Sequence, residues 1–179
     1  LEKIKHDVDV YISANQHGCH LLSPDFIYAI DSHHQATEEY MGDILKPYNV
    51  PIISPRVYAD YRLIDYHALG FRGNSGLQAI SLAALFGAKA VFVCGIEMYT
   101  GKTYFHDNDA YSPGCTRDIA RIQTNINTTK RLCGFTPVRI LSGPLPFETY
   151  DPLEEFYPRA LSEAARAHLR TKAIGCIAR

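Results

Sequence analysis

No apolar stretch in this chain of 179 residues reaches the roughly 20 that a membrane-crossing helix needs. The opening "LEKIKHDVDVYISA" also lacks the long apolar region of a secretion signal. Together these exclude a membrane span and lead to the expectation of a cytoplasmic protein. The five cysteines, Cys19, Cys94, Cys115, Cys133 and Cys176, are odd in number and scattered, with no C-x-x-C pair. That excludes a disulfide framework and a cysteine zinc site, so reduced thiols are expected. Charge of one sign is missing too: the net charge is -1 with 21% charged residues. Composition therefore points to no nucleic acid, membrane surface or acidic partner. Internal repeats and low-complexity tracts are absent. What is present is 46% hydrophobic residues in a length that suits one domain, able to bury roughly 70% of its unfolded surface.

The pattern along the chain is that of strands alternating with helices. "DVDVYISA" (7–14) and "PDFIYAID" (24–31) mix β-branched and aromatic residues and stop at polar ones. "VPIISP" (50–55) is a third strand, bracketed by prolines. Continuous rather than alternating apolar character predicts burial on both faces, as in a parallel sheet covered by helices. "QATEEYMGDILKPY" (35–48) has helical spacing at Tyr40, Met41, Ile44 and Leu45. Residues 76–87 form a helix apolar all round, closed by Gly87. "AKAVFVCGIE" (88–97) is expected to be the central strand, with Cys94 a core residue. A long polar and aromatic loop (100–115) comes next, then a helix over 116–134 with Ile119, Ile122, Ile126 and Cys133 near one face, then the strand "PVRILSG". The expected fold is α/β, a Rossmann-like three-layer arrangement with a mostly parallel, doubly wound sheet. Residues 1–158 form this single domain, and 159–179 form a C-terminal helix.

Ligands of such sheets sit outside the carboxyl ends of the strands. The polar residues there are Asn15, Gln16 and His17, then Asp31, Ser32, His33 and His34, then Arg56, then Glu97 and Tyr99. The following loop adds His106, Asp107 and Asp109. His106 is suited to general base work, because imidazole titrates near neutrality and a neighbouring carboxylate such as Asp107 would hold its tautomer. Asp31 is suited to a ribose hydroxyl or a metal-bound water, or equally to a helix cap. The adjacent His33 and His34 and the run "HGCH" (17–20) match no metal pattern.

"GNSG" (73–76) opens the all-apolar helix. Free N–H groups and the positive end of the helix dipole favour an anion such as phosphate at such a place. Gly73 and Gly76 would let a backbone come close, and Asn74 or Ser75 would cap the helix. The four residues alone read as an ordinary cap. The buried helix, central strand and histidine-bearing loop that follow bring the ligand reading forward.

The stretch "GFRGNSGLQAISLAALFGAKAVFVCGIEMYTGKTYFH" resembles the group that holds archaeal hydroxymethylpterin diphosphokinases and related phage-encoded proteins, and more remotely bacterial sialyltransferases. The shared features are the glycine-plus-serine turn at Gly73–Gly76, Gly87 with Lys89, the strand end Gly95–Met98 and His106. "DVDVYISANQHGCHLLSPDFIYAIDS" resembles that group's earlier stretch, where an asparagine follows one strand and an aspartate ends the next. The likeness covers roughly residues 7–110. That group usually begins with a strand and a G-x-G-P-S loop, and no such segment precedes Leu1. The expectation is a truncated chain or a site lacking that part.

The resemblance implies a nucleotide-dependent transferase of glycosyltransferase type, moving a sugar from a nucleotide-sugar donor to a hydroxyl on a small-molecule or glycan acceptor. Asn15, Asp31, Gly73, Asn74, Ser75 and Gly76 would meet the nucleotide or its phosphate. His106 would be the base, with Glu97 and Asp107 beside it. The second implication is a magnesium-dependent pyrophosphokinase acting on a pterin-like alcohol, with Asp31 and Glu97 holding the metal. The third is a phage, virion or binding protein that keeps the fold without catalysis. A homo-oligomer stays open, and the compartment would be the host cytoplasm if the protein is phage-encoded.

Overall fold

The computed structural model describes residues 8–34, 37–64, 70–96, 119–134, 136–141, 145 and 177–178. Four short strands, β1 (Ile12–Ala14), β2 (Phe26–Tyr28), β3 (Ile52–Ser54) and β4 (Tyr61–Leu63), lie side by side in that order, each parallel to the next. Two further strands, β5 (Val91–Val93) and β6 (Val138–Ile140), form a separate parallel pair. Ile177–Ala178, in the segment assigned to a C-terminal helix, make a small strand β7 antiparallel to β4. Residues 159–174 lie outside the described residues. Helices α1 (Met41–Leu45), α2 (Ser75–Leu85) and α3 (Ile119–Cys133) complete the set. This is a Rossmann-like α/β fold.

The apolar run of the second strand predicted burial on both faces, and the register shows how it arises. Ile27 pairs with Ile52 and Tyr28 with Ile53 across β2 and β3. Because successive side chains on a strand alternate, the first pair joins a cluster with Met41, Leu45 and Tyr58 beside α1. The second pair points the other way, into a cluster with Leu82, Leu85 and Phe71 from the α2 side. The sheet is thus sandwiched between two cores.

Helix α2 begins and ends where the sequence indicates. The Asn74 side chain accepts from the Leu77 N–H at 3.0 Å, satisfying one of the first-turn donors. After Leu85 the chain leaves through Gly87 in a left-handed conformation, φ 92°. Between those ends α2 packs on β1 and β2 on one side and on β5 on the other, so it spans both sheets, while α3 lies against it. Leu77 and Ile80 of α2 meet Val93, Ile126, Cys133 and Val138 in a third cluster.

Three expectations change. The strand over 88–97 shrinks to β5, and it is not buried on both faces, since Phe92 is 46% exposed. Cys94, expected in the core, is exposed. The reason is common to both: β5 belongs to a two-stranded sheet whose inner face, with Val93, meets α2 and α3, while Phe92 alternates to the other face. The helix expected over 35–48 is only Met41–Leu45 with a 3₁₀ turn, Lys46–Tyr48, behind it. Glu38 at φ 58° and the extended Tyr40 stop it from starting earlier. Strand β4 was not anticipated, because "YRL" carries too little periodicity to be read.

Candidate functional site

The carboxyl ends of β1, β2 and β3 lie next to one another, which gathers Asn15, Gln16, Asp31 and Arg56 at one edge of the sheet. Asn15 follows β1 directly. Its N–H donates to the Tyr28 carbonyl at 2.9 Å and its own carbonyl accepts from Ser13 Oγ at 2.8 Å, so its backbone is held on both sides. The backbone is left-handed, φ 59°, a conformation asparagine tolerates better than most residues. Among the described residues the buried side-chain Oδ1 finds no hydrogen-bond partner, and the same is true of Gln16 Oε1 beside it. Most buried polar atoms are paired, so two neighbouring oxygens of this kind at a strand end stand out.

Asp31 lies three residues beyond β2 and is held by its main chain. Tyr58 donates its hydroxyl to the Asp31 carbonyl at 2.6 Å, and Arg56 Nε donates to the preceding Ile30 carbonyl at 2.7 Å. Tyr58 is itself wedged edge-on against Tyr40, which meets His33 in the same manner. The Asp31 carboxylate, by contrast, takes no hydrogen bond among the described residues. Burial pushes its carboxyl above the ordinary aspartate range, against smaller opposing pulls from the charges of Arg56 and His34. A carboxylate whose pKa is raised on folding binds its proton more tightly in the folded state than in the unfolded one. Stability therefore falls as pH rises through the window between the two values. Urea unfolding of the wild type and of Asp31→Asn from about pH 4 to about pH 7 should show the wild type losing ground to the variant as pH rises. A difference between the two that does not change with pH would refute it.

The turn Gly73–Gly76 shows the capping reading of the sequence directly. Asn74 caps α2, as its four-residue context indicated. Gly73 sits at φ 93°, and a Cβ there would come 2.8 Å from Leu77 Cδ1 and 3.2 Å from Asn125 Cβ. A Cβ on Gly76 would come 2.7 Å from Ile96 Cδ1. The glycines are therefore required by packing as well as by the turn. The N–H groups of Ser75 and Gly76 find no partner among the described residues, and both residues are buried. A chain of two hydrogen bonds ties the turn to the sheet: Tyr28 Oη donates to Gln78 Oε1 at 2.9 Å, and Gln78 Nε2 donates to the Gly73 carbonyl at 2.9 Å. The helix N-terminus is therefore positioned from the end of β2.

Tyr28, Gln78 and Tyr58 were missed in the sequence as parts of this edge. The signal for the first two was a hydroxyl inside an apolar strand and a lone amide in an otherwise apolar helix. Each needs a buried partner, and each is the other's. The proposed base His106 and the acids Glu97 and Asp107 lie outside the described residues.

Magnesium would need more than Asp31. Among the described residues no three His, Cys, Asp or Glu side chains gather closely enough to hold a metal ion. A separate open cleft of about 640 Å³ lies at the opposite, amino-terminal end of β3 and β4, lined by Lys46, Asn49, Pro51, Ile52, Asp60 and Tyr61. Asp60 is already engaged there by the Ile52 N–H at 2.8 Å, which closes the start of β3. Among the described residues no helix is long and apolar enough to cross a membrane. No family model, curated protein or solved structure matches this chain.

Proposed function

We propose that the carboxyl edge of β1–β3 binds a nucleotide and that the protein is a nucleotide-dependent transferase of glycosyltransferase type. The observation that carries this is a pair of buried oxygens with no hydrogen-bond partner among the described residues, Asn15 Oδ1 and Gln16 Oε1, on the same edge of a parallel sheet as the Asp31 carboxylate. Ligands of parallel sheets occupy this edge, and acceptors so placed suit the amino and hydroxyl donors of a base and a ribose. The N-terminus of α2, where the N–H groups of Ser75 and Gly76 find no partner among the described residues, supports a phosphate nearby.

In this reading the donor is a nucleotide sugar. His106 takes the proton of the acceptor hydroxyl as the oxygen attacks the sugar carbon, and the nucleotide departs with the bonding electrons. Glu97 and Asp107 would orient the imidazole and the acceptor. The alternative is pyrophosphoryl transfer from a nucleoside triphosphate to an alcohol. The Asp31 carboxylate, which accepts no hydrogen bond among the described residues, is what favours it.

Isothermal titration of the purified protein with a panel of nucleotides and nucleotide sugars, with and without magnesium, tests the proposal. Saturable binding is expected for at least one of them, and it should weaken in Asn15→Ala. Absence of heat across the whole panel would overturn it.

A further inference from the structure

Arg56 stands at the same edge with most of its hydrogen-bonding capacity unused. It lies two residues beyond β3, where its N–H donates to Ser54 Oγ at 3.1 Å. Its carbonyl accepts from the Ala59 N–H. The side chain then crosses to the neighbouring strand's loop, where Nε donates to the Ile30 carbonyl at 2.7 Å. That bond occupies one of the five guanidinium N–H groups. The other four, on the two terminal nitrogens, have no partner among the described residues. Asp31 is close enough for the two charges to influence each other, yet the pair forms no ion pair within hydrogen-bonding reach.

This is an unusual arrangement for an exposed arginine. A solvated guanidinium on a flexible stem has no fixed direction. Here Nε is anchored to a carbonyl that leads directly into Asp31, and Tyr58 holds the next carbonyl along. One end of the guanidinium is thus tied down close to Asp31, leaving a planar pair of donors on its terminal nitrogens beside a carboxylate that accepts no hydrogen bond among the described residues. A planar fork of N–H donors matches the paired oxygens of phosphate. A carboxylate next to it accepts from a hydroxyl.

We propose that Arg56 is the residue that recognises a phosphate of the ligand, while Asp31 accepts a hydroxyl of the sugar that carries it. The inference rests on the nucleotide reading above and adds the residue that distinguishes a nucleotide from its nucleoside. The anchoring through Nε makes Arg56→Lys a poor replacement, since an ammonium cannot both hold the Ile30 carbonyl and present a two-pronged donor.

The test is calorimetric titration of wild type, Arg56→Gln and Arg56→Lys with a nucleoside, its diphosphate and inorganic pyrophosphate, and with malonate as a carboxylate control. Wild type should bind the diphosphate at least about 10-fold more tightly than the nucleoside, as for loss of one charge-assisted bidentate contact. Arg56→Gln should abolish that preference and Arg56→Lys should restore little of it, each measured as the ratio of diphosphate to nucleoside affinity of the same variant. A purely structural role in bracing the Ile30–Asp31 peptides would lower the melting temperature and leave the preference intact, which would overturn the inference. An equal, Arg56-dependent response to malonate would also overturn it, by assigning the fork to carboxylates. If no nucleotide binds but pyrophosphate does so through Arg56, the phosphate assignment stands and the nucleotide reading falls. If neither response depends on Arg56, the inference falls.

Discussion

Gly73→Ala is expected to destabilise the protein by about 2 to 3 kcal/mol, read as a fall of roughly 5 to 10 °C in melting temperature. Two costs add. A residue with a Cβ held at φ 93° gives up about 1 to 2 kcal/mol. The new methyl would also press on Leu77 and Asn125, and accommodating it costs on the order of 1 kcal/mol in a packed interior. Gly95→Ala supplies the comparison. Its φ of 72° is similarly left-handed, but a Cβ there meets nothing within 4 Å. It should show only the backbone cost, about 1 to 2 kcal/mol. Thermal unfolding of both variants separates the terms. Equal losses would show that the contacts with α3 and Leu77 carry no weight. Because Gln78 holds the Gly73 carbonyl, the same substitution should also weaken nucleotide binding, by shifting the N-terminus of α2 off the end of β2.

His106→Ala is expected to lower turnover by roughly 10²- to 10⁴-fold while leaving the melting temperature and nucleotide affinity close to wild type. The magnitude follows from the chemistry. An unassisted hydroxyl is a weak nucleophile near neutral pH, and a positioned base that takes its proton in the transition state contributes that factor. Nucleotide binding on the proposed reading belongs to Asn15, Gln16 and Asp31, on other elements, so affinity and turnover should separate. Steady-state kinetics with the donor and acceptor found by titration, together with calorimetry on the variant, make the comparison. Unchanged turnover would remove His106 from the mechanism. A parallel loss of binding would assign it to the ligand rather than to proton transfer.

Arg56 and Gln78 show what a one-dimensional reading does with polar residues. Both are visible in the sequence, one at a strand end and the other inside an apolar helix. Their meaning depends on partners far along the chain. Gln78 finds Tyr28, 50 residues away, and Arg56 finds the Ile30 carbonyl, 26 residues away. No periodicity encodes such pairings, because they arise when β2, β3 and α2 close on one another. Cys94 is the opposite case. Its neighbours are those of a buried strand, but among the described residues β5 is packed on the Val93 face while Phe92 and Cys94 are exposed, and how many faces are covered is a property of the layers.

What the sequence determined by itself was local and repetitive. Apolar runs marked the strands, Asn74 and Gly87 marked the ends of α2, and the β-strand and helix order specified an α/β fold with polar residues at strand ends. These follow from backbone sterics, capping and hydrophobic burial, which act over a few residues. Tertiary structure alone decided which of those polar groups remain unpaired. Among the described residues, Asn15 Oδ1 and Gln16 Oε1 find no hydrogen-bond partner, while Asn74, Gln78 and Tyr58 are consumed in holding the edge in place. That division depends on distances across three strands and a helix, so it exists only once the chain has folded.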